Sequence, residues 1–187
     1  MALKNVSGRI MFSLLAFFTV CFSFRTASAD ATEAIALVQQ IKHPFLSTFS
    51  QIFSKFVQSE SELFSEPSTL LVPSNIGFEQ IQWDAFTEDQ QRRIFRLHVL
   101  QGRWELSDLL NAQPGSNFTT RDNGRLVTKV KKDRECYFQT YPPMKIPAPL
   151  NIPAAASTDR LIAHGVTFVF LPPNFLACPA SEEICDK

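Results

Sequence analysis

The stretch from residue 69 to residue 78 constrains the fold of this chain more than any other. Residues 70–72 form a short apolar run, which suits a strand that is buried on both faces. Pro73 cannot donate to a sheet ladder, so we expect the strand to end there. Ser74 and Asn75 are both residue types that cap helix N-termini. The sequence therefore predicts a core strand that turns sharply into a helix.

The N-terminus has the pattern of a secretory signal. Lys4 and Arg9 form a basic start, residues 10–24 are dominated by apolar side chains, and residues 27–29 supply an Ala-x-Ala cleavage site. An uncleaved membrane anchor is the alternative, but the apolar run is short for a membrane span. We therefore predict a signal peptide over residues 1–29 and a secreted mature protein.

The charge balance argues against one class of partner. The chain has 18 basic and 18 acidic residues, and three basic ones, Lys4, Arg9 and Arg25, leave with the predicted signal peptide. The mature chain then has 15 basic and 18 acidic residues, a net charge of −3, whereas a general nucleic-acid binder is strongly basic. The 18 phenylalanines, against two tyrosines and two tryptophans, indicate core packing rather than a stacking platform for bases or sugars.

Helical patterns dominate the region before the core strand. After a first helix that begins near residue 30, apolar side chains recur at helical spacing as a stripe: Phe45, Leu46, Phe49, Ile52, Phe53 and Phe56. Such a stripe usually forms the buried face of a surface helix. The alternative is an open groove that binds a lipid, another small apolar ligand or a partner.

A capping box at Thr87 and Gln90 predicts the start of another helix. This helix carries a basic cluster of Arg92, Arg93 and Arg96, which we interpret as a solvated face.

The second half of the chain has the signals of β-structure. Asn123-Gly124 predicts a type I′ hairpin turn between strands in residues 116–121 and 125–130. The prolines between residues 142 and 153 argue against a central strand, so we expect an extended surface segment there.

A late strand is predicted from the alternation of Val166, Phe168 and Phe170. The sequence shows no internal repeat, which favours a single domain.

Three segments together resemble the fasciclin domain. Residues 69–78 are similar to its first signature, Thr-Val-Phe-Ala-Pro-Thr-Asn-x-Ala-Phe, with matches at Thr69, Pro73, Asn75 and Phe78 and with glycine in place of the alanine. Residues 97–104 resemble the second signature of the family, Tyr-His-Val-Leu-x-Gly-x-Tyr, and the matches include His98 and Gly102.

The third segment lies near the C-terminus. Gly165 and Val166, followed by Pro172 and Pro173, resemble the closing Asn-Gly-Val…Val-Leu-x-Pro-Pro, with His164 at the asparagine position and a few residues missing between. The short, proline-rich style is most similar to plant fasciclin-like proteins of the arabinogalactan type. The resemblance implies an α+β fold, a small twisted β-sandwich or wedge with packed helices. We expect the domain to span residues 30–175, followed by a cysteine-containing tail over residues 176–187.

The resemblance also implies a function. We expect a non-catalytic adhesion module of the extracellular matrix or cell wall, with a polysaccharide, a cell-surface protein or a second copy of the chain as partner. His98 is one candidate contact residue, because this position belongs to a Tyr-His pair implicated in adhesion in the family; the tyrosine is Leu97 here. The alternative for His98 is a partly buried ring that hydrogen-bonds the backbone and orders a helix-to-strand junction.

A basic patch is the second candidate contact surface. It comprises Lys129, Lys131, Lys132 and Arg134, on a predicted strand and turn. These side chains could hold an acidic polysaccharide, or they could be solvated lysines that block association between sheet edges.

Two covalent modifications are predicted outside the signal peptide. Asn117 begins the N-glycosylation sequon Asn-Phe-Thr. Cys136, Cys178 and Cys185 allow a disulfide that involves the tail, with the connectivity left open. Cys136 as a catalytic nucleophile is a third, weaker functional hypothesis, for which no local signature exists.

Other kinds of site have little support in the sequence. The three histidines, His43, His98 and His164, have no metal-ligand spacing, and we predict neither a metal nor another cofactor. No phosphate-binding loop or nucleophile-elbow motif occurs, so we expect no enzyme. The polar end of the chain, residues 180–187, predicts no glycolipid anchor.

Overall fold

The computed structural model describes residues 32–132, 135–140, 147–172 and 175. Within these residues one sheet has the strand order β2-β1-β7-β6-β5-β4-β3, and the pair β1–β7 is parallel while the other pairs are antiparallel. The strands are β1 Ser68–Pro73, β2 Val99–Gln101, β3 Asn117–Thr119, β4 Leu126–Lys132, β5 Glu135–Thr140, β6 Ala148–Ser157 and β7 Leu161–Val166. An isolated bridge between Leu100 and Thr120 joins the two ends of the sheet, which nearly closes into a barrel.

The helices pack on this sheet, so the predicted α+β fold class is confirmed. They are α1 at residues 32–40, α2 Ser47–Ser59, α3 Asn75–Glu79, α4 Glu88–Leu97 and α5 Leu106–Asn111, with short 3-10 turns at Pro44–Leu46, Ser61–Phe64 and Trp83–Ala85. Among the described residues, no helix has the length and apolar character needed to cross a membrane. The predicted signal peptide and tail lie outside the described residues.

The strand-to-helix turn forms as predicted. All six residues of β1 are buried, and the strand ends at Pro73. Ser74 caps α3, because its side chain accepts a hydrogen bond from the amide of Gly77 (3.4 Å). Leu70 and Val72 face one hydrophobic core and Leu71 faces another, so the strand is buried on both faces.

The first core lies under the helices and is rich in phenylalanine. The rings of Phe49, Phe53 and Phe56 are at most 1% exposed, and Phe53 stacks on Phe95 with ring centroids 5.1 Å apart. The phenylalanines of the stripe on α2 are therefore closely packed, whereas Ile52 is half-buried at the edge of a groove beside α3. Phe45 is the exception, because it is 62% exposed in the turn before α2.

Asn75 has a role that its position in the chain does not suggest. Its Oδ1 accepts from the amide of Thr48 (3.0 Å) in the first turn of α2, and its Nδ2 donates to the carbonyl of Pro44 (3.0 Å). Leu46, the residue before α2, supplies no side-chain cap. Asn75 therefore caps a helix that begins 28 residues earlier in the chain and ties it to the turn after β1.

The prediction of a surface segment between residues 142 and 153 is wrong for its second half. Strand β6 lies between β5 and β7 and contains Pro149 and Pro153. The register of β6 shifts between Ile152 and Ala156, and Ala154 has a φ of 45°. Pro153 is tolerated because it lies in this irregularity, where no ladder hydrogen bond is required of it.

The hairpin prediction is confirmed, whereas the late strand is shorter than predicted. Asn123 and Gly124 have φ values of 52° and 71°, as a type I′ turn requires, and β3 pairs with β4 on either side. Strand β7 ends at Val166, so the alternation that continues to Phe168 does not mark strand residues.

We expect the Asn75 cap to contribute measurably to stability. Asn75→Ala removes the acceptor for Thr48 and should lower the free energy of unfolding by about 1–2 kcal/mol. Asn75→Asp keeps an acceptor beside the first turn of α2, so it should lower the free energy of unfolding by less than Asn75→Ala does. Urea denaturation monitored by circular dichroism measures both variants. Equal unfolding midpoints for Asn75→Ala and the unmodified protein would contradict this role.

Candidate functional site

The hydroxyl of Thr69 joins two of the sequence motifs. Its Oγ1 donates to the carbonyl of Gly102 (2.9 Å) and accepts from the amide of Trp104 (2.8 Å), and the residue is fully buried. Gly102 has a φ of 87°, in the left-handed region that favours glycine, and a Cβ there would lie 3.2 Å from Nε1 of Trp104. Thr69 and Gly102 therefore fix the chain as it leaves β2.

His98 is part of the core. The ring is fully buried, its Nδ1 lies 2.8 Å from the carbonyl of Ile94, and its Nε2 accepts from the amide of Phe170 (2.9 Å). Burial lowers the pKa of His98 to about 4, although the hydrogen bond to Ile94 raises it in part. The neutral ring with its proton on Nδ1 satisfies both contacts. Its role at the helix-to-strand junction is confirmed, and its candidacy as a surface contact is wrong because the ring does not reach the surface.

His164 is a second buried histidine with the opposite tautomer. Its Nε2 lies 2.9 Å from the carbonyl of Trp104, to which it donates, and its Nδ1 accepts from the amide of Ala154 (3.0 Å). Burial lowers the pKa of His164. The ring thus connects β7 to the irregular part of β6 and to the segment after β2. Sequence reasoning missed this role, for which the only signal was a histidine within an apolar strand.

The closing motif packs directly on the first motif. Ser74 donates through its Oγ to the carbonyl of Thr167 (2.8 Å) and through its amide to the carbonyl of Val166 (2.8 Å). A Cβ on Gly77 would lie 2.6 Å from the Thr167 oxygen, which explains the glycine at this position.

The remaining motif residues are also structural. Gly165 leaves room for Ile152, since a Cβ at Gly165 would lie 2.7 Å from the Cβ of Ile152. Phe78 packs in the first core at 6% exposure, and Pro172 is buried, whereas Pro173 lies outside the described residues. The three motifs therefore meet in one interior network of hydrogen bonds and close backbone contacts.

The basic-patch prediction is wrong for Lys129. Its side chain is 5% exposed, and its ammonium group donates to the carbonyls of Leu110 (2.7 Å) and Ala112 (2.6 Å) at the end of α5. A cation is favourable there because the last carbonyls of a helix have no intrahelical partner. The side chains of Lys131 and Lys132, and the whole of Arg134, lie outside the described part of the chain.

The arginines of α4 do not form a freely solvated face. Arg92 and Arg96 bind the carboxylate of Glu60 at 3.2 and 2.6 Å, and Glu60 is 2% exposed. Arg93 lies 3.6 Å from the carboxylate of Asp122, which is 1% exposed. These arginines neutralise buried carboxylates and hold α4 against α2 and the hairpin loop.

Cys136 is a free, buried thiol, and the disulfide that involves the tail stays a prediction. Cys178 and Cys185 lie outside the described residues. Burial raises the pKa of the Cys136 thiol, and the nearby ammonium of Lys129 lowers it only in part. A buried thiol that stays protonated is a poor nucleophile, which removes the support for catalysis by Cys136.

Asn117 lies in β3 and is exposed. Its Oδ1 accepts a hydrogen bond from the hydroxyl of Thr128 (2.7 Å) on the neighbouring strand. The predicted sequon is therefore on the surface of the folded domain. Its glycosylation stays a prediction.

We expect Lys129 to act on stability. Lys129→Met keeps the aliphatic stem but leaves the carbonyls of Leu110 and Ala112 without their cation, which should cost about 2–3 kcal/mol in the free energy of unfolding. The control Lys42→Met replaces an exposed lysine and should change stability by less than about 0.5 kcal/mol. Equal stabilities of the two variants in urea denaturation would contradict the placement of Lys129.

The comparisons with known proteins agree with this architecture. The structure is similar to a FAS1 domain pair from the insect cell adhesion molecule Fasciclin I, with a TM-score of 0.55 and 17% sequence identity. The similarity covers 67% of this chain and 45% of that chain, so this protein spans less than half of the matched structure. No curated protein matches the sequence significantly. The sequence matches the fasciclin domain over residues 44–172, and the chain therefore belongs to the fasciclin domain family.

Proposed function

We propose that this protein is a secreted, non-catalytic adhesion module of the extracellular matrix, of the short plant type that acts in a cell wall. The fasciclin domain over residues 44–172 is the observation that carries the proposal, because domains of this family occur in cell adhesion proteins. The matched insect structure comes from such a protein.

Two features of the chain support an extracellular location. The first is the secretory signal pattern over residues 1–29. The second is the exposed sequon at Asn117, which a glycosyltransferase of the secretory pathway could reach.

The proposed partner is a polysaccharide, a cell-surface protein or a second copy of this chain. Because Lys129 caps α5, an acidic polysaccharide would depend on Lys131, Lys132 and Arg134. Contact through such lysines and arginines would weaken with salt. No cofactor is part of this proposal.

Expression of the full chain in plant cells tests secretion and glycosylation. We expect the protein in the medium to begin at Asp30 and to carry a glycan that a glycosidase removes and that Asn117→Gln abolishes. Retention in the cell with an intact N-terminus would contradict the proposed location.

A bead assay then tests adhesion. Beads coated with the secreted protein should attach to wall fragments, to cells or to one another, and beads coated with the heat-unfolded protein should not. Loss of wall attachment in Lys131→Ala/Lys132→Ala at low salt would identify the polysaccharide as the partner. Failure of the coated beads to attach to any of these surfaces would contradict the adhesive function.

A further inference from the structure

An open groove of about 660 Å³ lies between α2, α3 and the turn Trp83–Ala85. Its apolar lining includes Ile52, Phe78, Ile81 and Trp83. These side chains pack on the phenylalanine core, since the ring of Phe53 lies 5.8 Å from that of Phe78 and 5.4 Å from that of Trp83. The groove therefore has an apolar floor that is continuous with the core.

The polar groups between α2 and α3 are already engaged within the protein. The Thr48 amide donates to the side chain of Asn75, and the Asn75 amide group donates to the carbonyl of Pro44. A ligand in the groove would therefore contact mainly apolar surface on the floor.

The rim of the groove is acidic. Glu79 and Asp84 line it and are exposed, and no basic side chain lines it among the described residues. Lys55, one turn after Ile52 on α2, donates to the side chain of Gln91 and lies 4.5 Å from the ring centroid of Phe56. The charged groups of the rim thus favour a cationic partner and disfavour an anionic one.

Two exposed apolar side chains lie in the chain segments beside the groove. Ile76, which follows Asn75, is 53% exposed, and Phe45, which follows Pro44, is 62% exposed. A hydrogen bond from the side chain of Asn75 to the carbonyl of Pro44 joins these two segments. Exposed apolar side chains therefore occur on both of these segments, next to Asn75 in the lining of the groove.

We propose that this groove docks a short amphipathic segment of an extracellular protein, with apolar side chains that enter the groove and lysine or arginine side chains that face Glu79 and Asp84. The open shape fits a peptide segment better than an enclosed small molecule. The acidic rim selects against acidic polysaccharides and against anionic lipid headgroups. The inference rests on the proposed function in one respect, namely that the partner is an extracellular protein. Its test can be carried out whether or not the protein is secreted or adhesive.

The two tryptophans of the chain provide a direct test. Trp83 lines the groove, whereas the Nε1 of Trp104 donates to the carbonyl of Gln101 (2.8 Å) away from it. The indole N–H signals of ¹⁵N-labelled mature protein, assigned with Trp83→Phe, therefore report on the groove and on an internal reference. The probes are 12-residue peptides with leucines at helical spacing and either lysines or glutamates between them.

We expect the lysine peptides to shift the Trp83 signal and to leave the Trp104 signal in place. Glu79→Gln/Asp84→Asn should weaken this binding roughly fivefold at low salt, and the difference should shrink at high salt. The control Glu62→Gln/Asp159→Asn removes two exposed carboxylates that do not line the groove and should bind like the unmodified protein.

Several results would overturn the inference. One is binding of the glutamate peptides as tight as that of the lysine peptides, and another is no shift of either signal with any peptide. The inference also fails if a peptide shifts the Trp104 signal but not the Trp83 signal, or if a fatty acid shifts the Trp83 signal and the peptides do not. Peptide binding together with failed bead attachment would instead reject the adhesive function and keep the groove. Bead attachment without peptide binding would reject the groove alone.

Discussion

The neutral imidazole of His98 is the interaction on which the interior of this domain depends. One ring nitrogen bonds the carbonyl of Ile94 near the end of α4, and the other accepts from the amide of Phe170 after β7. The ring also stacks on Phe170, with centroids 4.8 Å apart. A protonated ring could not accept the Phe170 amide, so this hydrogen bond between two distant segments of backbone requires the buried histidine to stay neutral.

The residues of the three fasciclin signatures mainly form contacts in the interior of this domain. Thr69 and Asn75 bond the backbone of other segments, and Ser74 bonds the closing segment. The contacts of the proposed adhesive function would then lie on surfaces outside this interior network. The groove beside α3 is the proposed docking surface, and the signature residues Asn75 and Phe78 line it together with the exposed Glu79.

The features that could be predicted from the sequence are those formed by residues that lie close together in the chain. The Thr87–Gln90 capping box and the Asn123-Gly124 turn are local, and both form. Lys129 could not be placed, because its partners lie 17 and 19 residues away on another element.

The same limit applies to Pro153, whose presence in a central strand depends on a register shift against β7. The arginines of α4 were placed on a solvated face because Glu60 and Asp122 are remote in sequence. The groove is lined by residues of α2 and by residues after α3, so it could not be inferred without knowing how these segments pack together. A tryptophan followed by an aspartate after a short helix was its only signal.

The most direct test of this account is an NMR titration of His98 combined with urea unfolding over a range of pH. Because the pKa is about 4 in the folded protein and 6.5 in the reference state, the unfolded chain binds the proton first. The contribution of His98 is then fully present above about pH 6.5 and declines by about 3 kcal/mol as the pH falls towards 4. Burial of His164 acts in the same direction, so His98→Gln isolates the share of His98. We predict a ring that stays neutral with its proton on Nδ1 down to about pH 5 and a flatter pH profile in the variant. A His98 ring that titrates near pH 6.5 in the folded protein would contradict the account.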